Sequence, residues 1–107
     1  MAYFSIKKSD RLPAITDSLL QADGTAYSIP GGATLKFKMR KVGNTTYTVD
    51  TSATITDATT GAVSYTWGAA DTTTAGRFNG EWEVTTGGVT RTFPRNANRE
   101  ILIYERA

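Results

Sequence analysis

Apolar and polar residues alternate one for one along two neighbouring stretches near the middle of the chain. Val63, Tyr65 and Trp67 are separated by Ser64 and Thr66; Phe78, Gly80, Trp82 and Val84 are separated by Asn79, Glu81 and Glu83. A period of two is that of a strand with one face buried, so both stretches read as β-strands joined by the loop Gly68 to Ala75. Gly87-Gly88 then offers the positive φ of a tight hairpin turn before Val89 to Pro94. A two-residue turn sets Trp82 opposite Phe93 and Val84 opposite Arg91, whereas a three-residue turn sets Glu83 against Arg91. Both registers stay open. Both tryptophans face inward on their strands, which makes residues 61–94 the expected centre of the core.

The rest of the chain continues the pattern. Residues 1–10 form a polar arm carrying Tyr3, Phe4 and Ile6 ahead of Lys7 and Lys8. It reads equally as an edge strand or as a tail that docks on a neighbour. Leu12, Ile15 and Leu19 have helical spacing, but Pro13 and the turn Ala22-Asp23-Gly24 favour an edge strand between Leu12 and Leu20. Thr25 to Ile29 is a short extended piece before Pro30-Gly31-Gly32. From Ala33 to Arg40, Ala33, Leu35, Phe37 and Met39 point one way, and Thr34, Lys36, Lys38 and Arg40 the other. The basic stripe is either a contact surface for an acidic partner or the lysine protection of a solvated strand. Thr45 to Val49 and Ala53 with Ile55 predict two more strands, and Asp57 to Gly61 a turn. Asn96 to Glu100 reads as a polar loop, and Glu100 to Tyr104 as a last strand apolar on both faces, with Ile101 and Ile103 in the core. The prediction is an all-β fold, an antiparallel immunoglobulin-like β-sandwich of about seven to nine short strands, with a small barrel as the alternative.

Composition narrows the function more than the fold. At 107 residues the chain has room for one core, so residues 11–107 are expected to form a single sandwich behind the arm. There is no cysteine and no histidine, which removes thiolate chemistry, disulfides, the commonest general base and the commonest metal ligands. The formal net charge of +2 is too small and too dispersed to point to nucleic acid. No apolar run predicts a signal peptide or a membrane span. Asn44-Thr45-Thr46 matches the glycosylation sequon but reads as a turn.

Candidate chemistry is thin. Glu81 and Glu83 lie two apart on the outer face of one strand, an arrangement unlike the facing carboxylates of a glycosidase. Asp71 to Gly76 offers hydroxyls without a base to activate them, and Asp71 reads as the cap of a single 3₁₀ turn with Thr74. The glycine pairs lack the lysine or helix of a phosphate loop. Asp50, Asp57 and Asp71 are dispersed, so neither a metal nor a cofactor is expected, and no catalytic residue is named. Arg91, Arg95, Arg99 and Arg106 form the densest run of arginine, a docking surface or a solvated rim.

Three segments carry a resemblance: ATLKFKMRK (33–41), DATTGAVSYTW (57–67), and DTTTAGRFNGEWEV (71–84) with GGVTRTFP (87–94). Together they resemble the immunoglobulin-like domains of tailed-phage virion proteins, typified by the N-terminal domain of the baseplate upper protein. The likeness extends over about residues 10–105, and its motifs are turn and core residues. It implies a non-enzymatic virion protein made in the host cytoplasm, a homo-oligomer or present in many copies in the virion, contacting other phage structural proteins, with neither nucleic acid nor membrane as partner. With no receptor-binding extension after Ala107, it implies an adaptor or decoration subunit at the baseplate, tail, neck or capsid. Tyr3, Phe4, Ile6, Lys7, Lys8, Arg95, Arg99 and Arg106 are the interface candidates. A carbohydrate- or host-surface-binding module is the alternative, using exposed tyrosine and tryptophan beside Thr/Asn loops. It loses its main support if Trp67 and Trp82 are buried and no exposed aromatic platform remains.

Overall fold

The computed structural model describes residues 4–93 and 99–106, and among them there are strands and turns but no helix. In chain order the strands are β1 Phe4–Lys7, β2 Ile15–Ser18, β3 Thr34–Lys41, β4 Val49–Ser52, β5 Thr54–Asp57, β6 Ala62–Tyr65, β7 Gly76–Thr86, β8 Val89–Phe93 and β9 Arg99–Tyr104. They form two sheets. The larger runs β1-β9-β7-β3-β4, with β8 also on β7; the smaller runs β2-β6-β5.

The β3–β7 pair is the spine. Eight antiparallel partners run from Thr34 opposite Thr85 to Lys41 opposite Phe78. Alternation on both strands therefore puts Leu35, Phe37 and Met39 on the same face as Val84, Trp82 and Gly80. On the other flank of β7, β8 lies opposite Trp82 to Thr86 and β9 opposite Gly76 to Gly80, so the two run end to end.

Phe37 is the hub between the sheets. Its ring lies 4.7 Å from that of Trp82, 5.2 Å from Tyr65 and 5.8 Å from Trp67, centroid to centroid. Gly80 is where this hub needs room: a Cβ there would come within 2.9 Å of Ile101 and 3.1 Å of Phe37. Burying one such ring is worth about 1.5–3 kcal/mol and each aromatic pair about 0.5–1.5 more. Exposed ion pairs give at most about 1 kcal/mol each, so the ring cluster is what holds the sheets together.

Leu35, Phe37, Met39, Val63, Tyr65, Trp67, Phe78, Trp82, Val84, Ile101 and Ile103 are all buried, joined by Ile6, Ile15, Leu19, Ile29, Val49 and Phe93. Several expectations change. The large sheet is mixed rather than purely antiparallel, because β1 pairs parallel with β9, Phe4 opposite Ile101 and Lys7 opposite Tyr104. Phe4–Lys7 is thus an edge strand with Ile6 in the core. The edge strand foreseen between Leu12 and Leu20 narrows to β2. The strand expected from Thr45 starts only at Val49. Arg99 and Glu100 open β9 instead of closing a loop, and β9 buries Ile101 and Ile103 on one face while Tyr104 is exposed.

Candidate functional site

The polar side chains that reach the interior come from strands far apart in the chain. Ile15, Asp17 and Leu19 alternate, so Asp17 lies on the inner face of β2, opposite Val63. Its Oδ2 accepts from the Trp82 indole Nε1–H at 2.8 Å and from the Arg99 Nε–H at 3.0 Å. Asp17 so ties the edge of the small sheet to β7 and β9 of the large one. Arg99 was expected at an interface, but its position opposite Gly80 turns it inward. Its side chain is 19% exposed and its charge is engaged by Asp17. Asp17 was missed, although its place between Ile15 and Leu19 in the period-two pattern was visible.

A second polar group organises the loop before β7. The Tyr65 hydroxyl and the Gly68 backbone N–H both donate to Asp71 Oδ2, the latter at 2.6 Å. Burial, reinforced by the Asp71 carboxylate, pushes the Tyr65 hydroxyl well above the ordinary phenol range. Asp71 thus anchors the turn to Tyr65 and does not cap a 3₁₀ turn with Thr74, because its carboxylate points back to strand β6. Thr72, fully buried, donates its hydroxyl to the Asp10 carbonyl at 2.8 Å, and Ser9 N–H donates to the Thr72 carbonyl at 2.9 Å.

The other interface candidates split. Phe4 packs on Trp67 with ring centroids 5.7 Å apart, and Ile6 is buried, so neither side chain is a free contact. Lys7 sits 5.8 Å from the Tyr104 ring, and Lys8 pairs with Glu105 at 3.6 Å. Arg106 donates to Asp10 at 2.8 Å and to the Lys8 carbonyl at 3.1 Å. Phe4, Ile6, Lys7, Lys8 and Arg106 therefore gather where β1 meets β9, with Arg99 apart from them. Tyr3 and Arg95 lie outside the described residues.

The basic stripe of β3 is largely neutralised on the outer face of the large sheet. Lys36 pairs with Asp50 at 3.3 Å, and Lys38 with Glu83 at 3.2 Å. The hydrogen bond that Lys38 donates to the Glu83 carboxylate raises the Lys38 pKa. Lys38 and Arg40 lie 4.8 and 5.8 Å from the Tyr47 ring. Glu83 is thus a lysine partner, which does not leave it as half of an acid–base pair with Glu81. On the small sheet, a shallow depression of about 420 Å³ is lined by Thr16, Asp17, Ser18, Thr56, Ala62 and Val63. Its one carboxylate is the Asp17 group already bound to Trp82 and Arg99. Among the described residues no group of three or more acidic side chains converges, and no helix is long and apolar enough to cross a membrane.

In the hairpin of β7 and β8, β7 is largely buried and β8 largely exposed. Gly87 and Gly88 both take positive φ, 58° and 81°, and the turn has the two-residue register, Val84 opposite Arg91 and Trp82 opposite Phe93. Only Phe93 of β8 is buried; Val89, Thr90, Arg91 and Thr92 are exposed. Arg91 shares the inner face with Val84 but is exposed, and it forms no ion pair among the described residues.

Among known proteins, no family model matches this chain and no curated protein does. Trp67 and Trp82 are 0% and 1% exposed, so neither tryptophan serves the carbohydrate-binding alternative, whereas Tyr47 and Tyr104 remain exposed.

Proposed function

We propose that this chain is a non-enzymatic structural protein of a tailed-phage virion, an adaptor or decoration subunit that works by contacts with other virion proteins. The observation that carries the reading is the disposition of its polar groups. The carboxylates with partly buried surroundings, Asp17, Asp71 and Glu83, are each engaged in holding the fold. What is left exposed is strand edge, hairpin and terminal segment, the parts through which a β-protein associates. The immunoglobulin-like identity belongs to the same proposal. Strands β9, β7, β3 and β4 facing β2, β6 and β5 have the distribution of strands G, F, C and C′ facing B, E and D in such domains. The sequence resemblance over residues 33–41, 57–67, 71–84 and 87–94 supports the virion assignment. Contact in many copies under virion symmetry would let weak individual interfaces suffice. The test is mass spectrometry and labelled-antibody imaging of purified particles: the chain is expected at stoichiometric copy number, and its absence from the particles overturns the reading.

A further inference from the structure

The five strand edges of this sandwich are not equally protected. Edge strands present unpaired N–H and C=O groups, and proteins blunt them with bulges, charges or short length. β4 carries Asp50, held by Lys36; β5 has a bulge between Ile55 and Asp57. β1 has four residues and ends on Lys7 followed by Lys8, and β2 runs into the bridge between Leu20 and Ala26. β8 differs: Val-Thr-Arg-Thr is rich in β-branched residues, exposed on both faces, and paired among the described residues with β7 alone.

Which backbone groups of β8 are free follows from the turn. A two-residue loop closes on a hydrogen-bonded pair, here Thr86 with Val89, and bonded and non-bonded pairs then alternate. Thr90 and Thr92 are thus in non-bonded positions toward β7, in keeping with the 3.0 Å contact between the Thr85 and Thr90 hydroxyls. Their N–H and C=O groups point to the open flank. On the same flank, β9 already accepts β1 as a neighbour, so the line along which a strand would add is established. The exposed arginine then selects the occupant. Two β8 strands paired antiparallel about their midpoint would set Arg91 against Arg91, which disfavours a second copy.

We infer that the open flank of β8 is a docking edge for an extended acidic segment of another protein, which adds as a strand beside Thr90 and Thr92 with a carboxylate opposite Arg91. The inference rests on the reading of this chain as a protein that acts by contacts, and it names the edge and the partner's chemistry. The probe is a seven-residue peptide alternating threonine and valine around a central glutamate, compared with its lysine analogue at millimolar concentration by amide NMR and hydrogen exchange. The acidic peptide is expected to shift and protect the Thr90 and Thr92 amides and to bind about fivefold more tightly than the lysine form. Thr92→Pro removes one outward donor without touching the β7 ladder, so it should keep the wild-type melting temperature and lose the binding. Equal binding of the two peptides, no response at Thr90 and Thr92, or unaltered binding by Thr92→Pro overturns the docking edge. Such a failure leaves the virion role standing if the chain is present in purified particles, and absence from particles leaves the edge standing if the peptide binds.

Discussion

Asp17 shows how one side chain can close a sandwich. Its carboxylate takes the indole proton of Trp82 and a guanidinium proton of Arg99, residues 65 and 82 positions away in sequence. Asp17→Ala leaves the buried Trp82 indole N–H and the half-buried Arg99 N–H without an acceptor, and an orphaned donor costs more than a hydrogen bond is worth. The expected loss is about 2–3 kcal/mol in urea unfolding, less than for a fully buried pair because the Asp17 and Arg99 side chains keep some solvent contact. Asp50→Ala, which removes only the exposed partner of Lys36, should cost under about 1 kcal/mol. Equal losses for the two variants would show that Asp17 does not pin the sheets. Gly61 is a comparable single-residue constraint, at φ 73° with the carbonyls of Tyr27 and Leu19 where a Cβ would sit. The inward direction of Asp17 could be read from its spacing to Ile15 and Leu19. That of Arg99 follows from the same alternation with Ile101 and Ile103, but only once the strand is taken back to Arg99, which the polar run from Asn96 to Glu100 conceals.

At the level of elements, what could be read was what local chemistry decides. The core strands β3, β6 and β7 follow from alternation, and the Asp57 to Gly61 turn from an aspartate that accepts from the Thr59 N–H at 3.1 Å. Gly87-Gly88 marked the hairpin but left two registers, and positive φ at both glycines settles on the two-residue form. The parallel pairing of β1 with β9 joins the two ends of the described chain, and no short-range signal encodes a partner at that distance. Exposure of β8 was equally hidden, since Val89 and Phe93 look alike in a period-two pattern although only Phe93 is buried, its ring against that of Tyr27. The position of Arg91 on that strand carries a prediction of its own. If it guards the edge against self-pairing, Arg91→Val turns the strand into an uninterrupted β-branched edge. Sedimentation should then show concentration-dependent association absent from the wild type, and adding Thr92→Pro should reverse it. A monomeric Arg91→Val protein would mean that the edge is protected by something other than the arginine.

Across the whole molecule, the two sheets respond together to alkali, because groups on both are shifted in the same direction. Tyr65 of the small sheet has its pKa raised by burial and by Asp71, and Lys38 of the large sheet has its pKa raised chiefly by the hydrogen bond to Glu83. In each case the folded protein holds a proton that the unfolded chain has already released once pH passes the ordinary value, about 10 for either side chain. The folded state then binds more protons than the unfolded one, so stability falls as pH rises. Stability from these groups is fully present below about pH 10 and is lost above it, through the raised pKa values. Urea midpoints should therefore be flat from neutral pH to about 9 and drop steeply beyond 10. Tyr65→Phe separates the two contributions. At neutral pH it removes one hydrogen bond to a carboxylate, a loss of about 1–2 kcal/mol, while Asp71 keeps the Gly68 N–H. Above pH 10 the variant has no phenol to ionise, so its midpoint should fall less steeply than that of the wild type and the gap between them should narrow. Parallel curves for the two proteins would show that the Tyr65–Asp71 contact does not couple the β6 loop to global stability. Convergence would show that the buried hydroxyl joins this loop to the same cooperative unit as the Phe37 ring cluster, with which Tyr65 stacks at 5.2 Å.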